Sequence, residues 1–140
     1  MRICPYSPDH DKAEISLWER CGLIRPWNDP KKDIARKIAI DPDLFLIGLE
    51  GESIVGTIMV GYEGHRGWIN YLAIDPDHRR KGFARQFMQA AERLLAERGC
   101  PKINLQVRSD NQYAVAFYQA LGYQIDDVIS FGKRLDQDRH

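Results

Sequence analysis

The sequence predicts one mixed α/β domain, a sheet with helices on both faces, and three observations carry that prediction. Between Trp68 and Arg98 an apolar strand (68–74) is closed by Asp75-Pro76 and runs through a basic loop with one glycine into a long amphipathic helix. Ala84, Phe87, Met88, Ala91, Leu94 and Leu95 recur at the helical period. Gly99 and Pro101 then stop that helix, one tolerating positive φ and the other unable to continue. The pattern repeats downstream: residues 102–107 alternate as a strand, Ser109 or Asp110 supplies a cap, and Ala114, Phe117, Tyr118 and Leu121 mark a helix ended by Gly122. Upstream, residues 44–49 and 53–62 flank Glu50-Gly51-Glu52 as a hairpin.

The remaining elements follow in order. Arg2 to Tyr6 is a short first strand. Pro8 and Asp9 open a helix with Ile15, Leu17, Trp18 and Cys21 on its apolar side, ending near Gly22. Asp29 is the N-cap of a second helix with Pro30 at its first position, continuing through Ile34 and Ile38, with Lys31, Lys32, Arg36 and Lys37 on its polar side. Gly56 and Gly61 inside a strand point to a bulge or a close backbone approach. Gly64 to Gly67 turns into the central strand, and residues 123–130 and 131–135 are expected to close the fold as a hairpin. The order β-α-α-β-β-β-α-β-α-β-β suits helices on both faces of a mixed sheet.

Composition bounds the partners. A chain of 140 residues fits a single domain spanning 1–140 and buries about two-thirds of its unfolded surface. Twenty acids balance twenty bases, which argues against a duplex nucleic-acid binder. No run reaches membrane-spanning length and no signal-peptide core is visible, so a cytoplasmic protein without membrane attachment is expected. Cys4, Cys21 and Cys100 lack metal or redox spacing and read as reduced thiols, and no metal is expected.

The basic loop is where chemistry concentrates. A glycine-containing turn at a helix N-terminus leaves backbone N–H groups unpaired at the positive end of the helix dipole, a ready anion site. Arg79, Arg80 and Lys81 add to that field, so the expected occupant bears phosphate. A Walker loop would need a second glycine and a Lys-Ser or Lys-Thr pair; a dinucleotide fingerprint would need three glycines. Only Gly82 is present.

What remains, Arg79-x-x-Gly82-x-Ala84, resembles the acetyl-CoA pyrophosphate loop of the GNAT superfamily of N-acetyltransferases. The string Asn111-x-x-Ala114-x-x-Phe117-Tyr118-x-x-Leu121-Gly122-Tyr123 resembles the second signature of the same superfamily, in the expected order. Arg25-Pro26-Trp27-Asn28-Asp29-Pro30 and Gly64-His65-Arg66-Gly67 resemble its YpeA-like bacterial branch. The resemblance implies a GNAT-like, mostly antiparallel sheet whose fourth and fifth strands splay, with the pantetheine arm lying between Leu72, Ala73 and Ile74 on one side and residues 104–107 on the other.

It also implies a reaction: direct attack of a primary amine on acetyl-CoA, the acceptor being a peptide or protein amine or a small-molecule amine. Backbone groups of Leu72, Ala73 and Ile74 would pair with the pantetheine and polarise the thioester. The N–H groups from Arg80 through Lys81, Gly82 and Phe83 to Ala84 would hold the pyrophosphate, with a nearby cation such as Arg79 meeting a phosphate. Tyr118 would act as general acid, since a phenol near pKa 10 is protonated at neutral pH and can donate to a thiolate near 8.5. Asn111 either bonds the cofactor arm or caps its helix. For the general base, Glu63 and His65 are candidates through a water, and Tyr71 is another polar group on the central strand. Trp27, Asn28 and Tyr62 are expected to line the acceptor side, with Trp18 in the core. A catalytically idle acyl-CoA-binding module is the competing expectation. The assembly is expected to be a monomer or a homodimer.

Overall fold

The computed structural model describes residues 1–136. Five strands form one sheet in the order β1 (Arg2–Pro5), β2 (Phe45–Glu50), β3 (Ser53–Tyr62), β4 (Gly67–Ile74) and β5 (Ile103–Leu105). The first four are antiparallel neighbours and β5 joins β4 in parallel. Helices α1 (Asp11–Arg20) and α2 (Pro30–Ile40) precede β2, α3 (Phe83–Glu97) links β4 to β5, and α4 (Gln112–Ala120) follows. The mixed sheet with helices on both faces is as expected. No helix among the described residues is long and apolar enough to cross a membrane.

Strand alternation sorts the core into two layers. Leu46, Val55, Ile58, Val60, Ile69 and Ile74 face α3, where Phe83, Phe87, Met88 and Leu95 meet them, with Phe117, Tyr118 and Leu121 of α4 packed alongside. Phe45, Ile47, Leu49, Met59 and Ala73 face the other way, onto Leu17 and Trp18 of α1 and Ile34 of α2. Leu72 therefore belongs to the α3 layer and Tyr71 to the α1–α2 layer. Helix α2 starts as its sequence requires: Asp29 accepts a hydrogen bond from the Lys31 N–H at 2.9 Å, and Pro30 occupies the first helical position.

Three expectations need correction. Residues 121–136 contain no strand, so the closing hairpin is not formed. Its alternation is broken by Asp126 and Asp127; Asp126 is drawn to Lys102 Nζ (3.0 Å) and Asn104 Nδ2 (2.9 Å), and Gln106 Nε2 donates to Ser130 Oγ at 2.5 Å. Side chains therefore tether this segment to the β5 side of the sheet. Lys37 is not purely on a polar face, because its Nζ reaches the Val60 carbonyl and burial pulls its pKa down. The fifth strand ends at Leu105, short of Val107.

Candidate active site

The ladder between β4 and β5 is short. Gly67 pairs with Ile103, Trp68 with Asn104 and Ile69 with Leu105, and there β5 stops while β4 continues to Ile74. Backbone groups of residues 70–74 therefore border an opening in the sheet. At the same place the β3–β4 register shifts: Thr57 faces Ala73 but Met59 faces Asn70, so Tyr71 and Leu72 oppose the single residue Ile58. Tyr71 takes a left-handed backbone conformation at φ +50°, which is uncommon for an aromatic residue.

The strand end leads directly to the basic loop. Arg80 (φ +66°) and Gly82 (φ +79°) are both left-handed, on either side of Lys81. Gly82 is the N-cap of α3 and supplies no side-chain cap. The first helical N–H bonded within α3 to this cap is that of Gln86, to the Gly82 carbonyl at 3.1 Å, so Phe83, Ala84 and Arg85 precede it. The Phe83 side chain is core, leaving its N–H for the loop. Arg80 and Lys81 are exposed. Arg79 contacts the protein: its Nε donates to the Ile74 carbonyl at 3.2 Å and its Nη2 lies 3.7 Å from Cys21 Sγ. These contacts brace the end of β4, while the residue as a whole is exposed like Arg80 and Lys81. Burial raises the Cys21 thiol pKa against the opposing pull of Arg79, consistent with an inert thiol.

Tyr118 lies on α4 in the α3 layer, edge-on to Phe117 (5.0 Å) and Tyr123 (5.8 Å). Burial pushes its pKa up to about 12, so the phenol keeps its proton throughout the neutral range. Asn111 caps its helix: its Oδ1 accepts from the Ala114 N–H at 3.1 Å.

The expected acceptor residues separate into two groups. Asn28, in the loop between α1 and α2, donates to the Tyr71 hydroxyl at 2.7 Å, and Trp27 beside it is 46% exposed. Tyr62 and Glu63 lie at the other end of β4. The Tyr62 hydroxyl contacts the Gly64 and Gly99 carbonyls at 3.3 and 3.4 Å. Glu63 Oε1 accepts from the His65 N–H at 3.0 Å and from the Arg66 N–H, which commits that oxygen to the turn. From Gly67 to Leu72 is five strand steps, about 16 Å at the usual rise. The structure thus does not bring Glu63, His65 or Tyr62 to the opening. Asp33 and Thr57, which the sequence reading passed over, do lie there: Asp33 bonds Tyr71, and Thr57 Oγ1 donates to the Tyr71 carbonyl at 2.9 Å. An acid set among the lysines and Arg36 of α2 was the only signal for Asp33.

Comparison with known proteins agrees with this geometry. The profile of the Acetyltransferase (GNAT) family matches residues 10–123. An acetyltransferase of Pectobacterium atrosepticum is 49% identical over 139 residues, covering 99% of each chain. Ard1 from Thermoplasma volcanium superposes with a TM-score of 0.74 at 25% identity, over 89% of this chain and 83% of its own. AAC(6')-Iy, solved with a bisubstrate analogue built on CoA, gives a TM-score of 0.76 at 19% identity over 95% and 97% of the two chains, a likeness of fold. With its full-length likeness to named acetyltransferases and its split between β4 and β5, the chain belongs to the GNAT family and is an acetyltransferase.

Proposed function

We propose that the protein transfers acetyl from acetyl-CoA to a primary amine by direct attack. The observation that carries this reading is the continuity of the open β4 edge with the uncapped start of α3. An extended amide-bearing arm fits beside residues 70–74, where it meets peptide N–H and C=O groups in place of a neighbouring strand. Its pyrophosphate then falls at the N–H groups of Arg80 to Ala84, with Arg80 and Lys81 as exposed counter-charges. The acetyl thioester lies beside Leu72 and Ala73, within reach of strand N–H groups that polarise its carbonyl.

Tyr118 is the proposed general acid for the departing thiolate, and its protonated phenol favours an enzyme over an idle acyl-CoA-binding module. Trp27 and Asn28 form part of the acceptor side, opposite the α3 layer. Two measurements on the purified chain test the reading: calorimetric titration with acetyl-CoA, and release of free CoA against a panel of peptides, polyamines, amino sugars and water. Saturable binding with amine-dependent release is the expected result. Binding without release to any amine would leave the idle module as the better account.

A further inference from the structure

The Tyr71 hydroxyl is held on two sides. It donates to Asp33 Oδ2 at 2.5 Å and accepts from Asn28 Nδ2 at 2.7 Å, while Asn28 also donates to the same Asp33 oxygen at 3.1 Å. A closed triangle of this kind fixes all three groups, although they come from a loop, α2 and β4. The ring beneath is fixed as well. The Trp18 indole stacks on it at 4.0 Å and 20°, and Trp18 Nε1 donates to Thr57 Oγ1 at 2.8 Å, which in turn donates to the Tyr71 carbonyl. A left-handed backbone at a bulky residue is strained and persists where its surroundings over-determine it. The Tyr71 side chain packs in the α1–α2 layer, and its strand position, next to Leu72, lies on the part of β4 that runs past the end of β5.

We propose that Tyr71 accepts the proton of the incoming amine and passes its own to Asp33, with Asn28 as the clamp. This rests on amine acetylation as proposed above. An ammonium sheds two protons on its way to an amide. The first leaves before attack: it moves to Tyr71 Oη as the Tyr71 proton moves to Asp33, which later returns it to solvent. The nitrogen lone pair then forms the C–N bond, and the C–S bond breaks with its electron pair on sulfur. The second nitrogen proton is released, and the thiolate takes up one in exchange. No oxidant or metal enters the balance. Besides Asp33, the ionisable neighbours are Arg36 on α2, whose Nη1 lies 3.3 Å from Asp33 Oδ1, and on α1 the buried Glu14, one turn from Trp18.

Two nucleophiles separate a proton-accepting role from a structural one. Ethylamine is an alkylammonium near the lysine range of about 10.4 and must lose a proton at neutral pH. Hydroxylamine is already unprotonated there. Release of CoA from acetyl-CoA is measured for the full chain, Tyr71→Phe and Asp33→Asn, with melting curves and acetyl-CoA titration as checks on folding and cofactor binding. In both variants transfer to ethylamine is expected to fall about 10²–10⁴-fold, the usual weight of a general base. Transfer to hydroxylamine is expected to stay within severalfold of wild type, and the ethylamine deficit should shrink as pH rises. Equal losses with both nucleophiles, or none with either, overturn the proposal. A wild-type chain that binds acetyl-CoA but releases CoA to neither nucleophile nor any amine of the panel above overturns the amine reading itself.

Discussion

Glu14 lies one helical turn before Trp18 on the buried face of α1, yet the two polar groups fare differently. The Trp18 indole N–H reaches Thr57 Oγ1 at 2.8 Å, whereas both carboxylate oxygens of the fully buried Glu14 lack a hydrogen-bond partner among the described residues. Burial, reinforced by the charge of Asp11, raises the Glu14 pKa to about 8. A buried carboxyl without a donor is far cheaper neutral than charged.

Stability should therefore fall with pH in a defined window. Below about pH 4.5 folded and unfolded chains both carry the Glu14 proton. Between there and about pH 8 the unfolded chain ionises while the folded one holds its proton, so stability drops by at most about 1.4 kcal/mol per pH unit. Above that window the loss is complete. Melting temperature across this range should show the decline in wild type, and Glu14→Gln should flatten it. A wild-type slope unchanged in the variant would assign the effect to another group.

Much of this architecture was readable because its signals are local. Asp29-Pro30 marks the start of α2, Glu50-Gly51-Glu52 the β2–β3 turn, and Gly82 and Gly99 bracket α3 as expected. The proposed site was readable only in its backbone part, since the proposed anion loop is written in six consecutive residues. Its side-chain part joins residues distant in sequence: Tyr71 meets Asp33 across 38 positions and Trp18 meets Thr57 across 39. Periodicity carries no information about such pairs. Glu63 illustrates the converse: nearness in sequence to the central strand gave it a candidate role, while the local turn engages one of its oxygens. Glu14 was invisible for the same reason, being a polar residue at a core position.

Gly56 is both a close approach and beside a bulge, the two features that the sequence suggests, since Gly48 pairs with Gly56 but Leu49 with Ile54. A Cβ there would stand 2.5 Å from Phe87 Cε2 and 3.0 Å from the Ala73 carbonyl oxygen, so α3 or β4 would have to move. Gly56→Ala should destabilise by about 1–3 kcal/mol through overpacking. Gly61→Ala, where nothing lies within 4 Å of the added atom, should cost less, and chemical denaturation of the two variants compares them directly. Equal costs would mean that strand propensity, not the Phe87 contact, sets the penalty.

Gly82 makes a different demand. An added Cβ meets nothing within 4 Å, but φ is +79°, where a β-branched residue is strained. Gly82→Val should therefore reshape the loop without disturbing the core, and should lower acetyl-CoA affinity tenfold or more. Calorimetric titration of the folded variant measures this. Unchanged affinity would remove the pyrophosphate from the start of α3.

Tyr118 poses the question of what a phenol with a raised pKa can do. Burial to about 12 guarantees the proton is present but widens the gap to a thiol near 8.5, so complete transfer to the thiolate is uphill. Donation can still assist while charge develops on sulfur, with water restoring the phenol afterwards. Phenylalanine keeps the ring and its edge-on contacts to Phe117 and Tyr123 while removing the only proton the side chain can give. Turnover of Tyr118→Phe should fall by about 10²–10⁴-fold with acetyl-CoA affinity preserved. Its melting temperature should change little, since no donor or acceptor is left stranded by a conservative loss of one hydroxyl. A thioester with a better leaving group than CoA needs less acid assistance, so the deficit should narrow with an acetylated aryl thiol as donor. Near-normal turnover with acetyl-CoA, or an equal deficit with both donors, would return the thiolate proton to water and leave Tyr118 to packing.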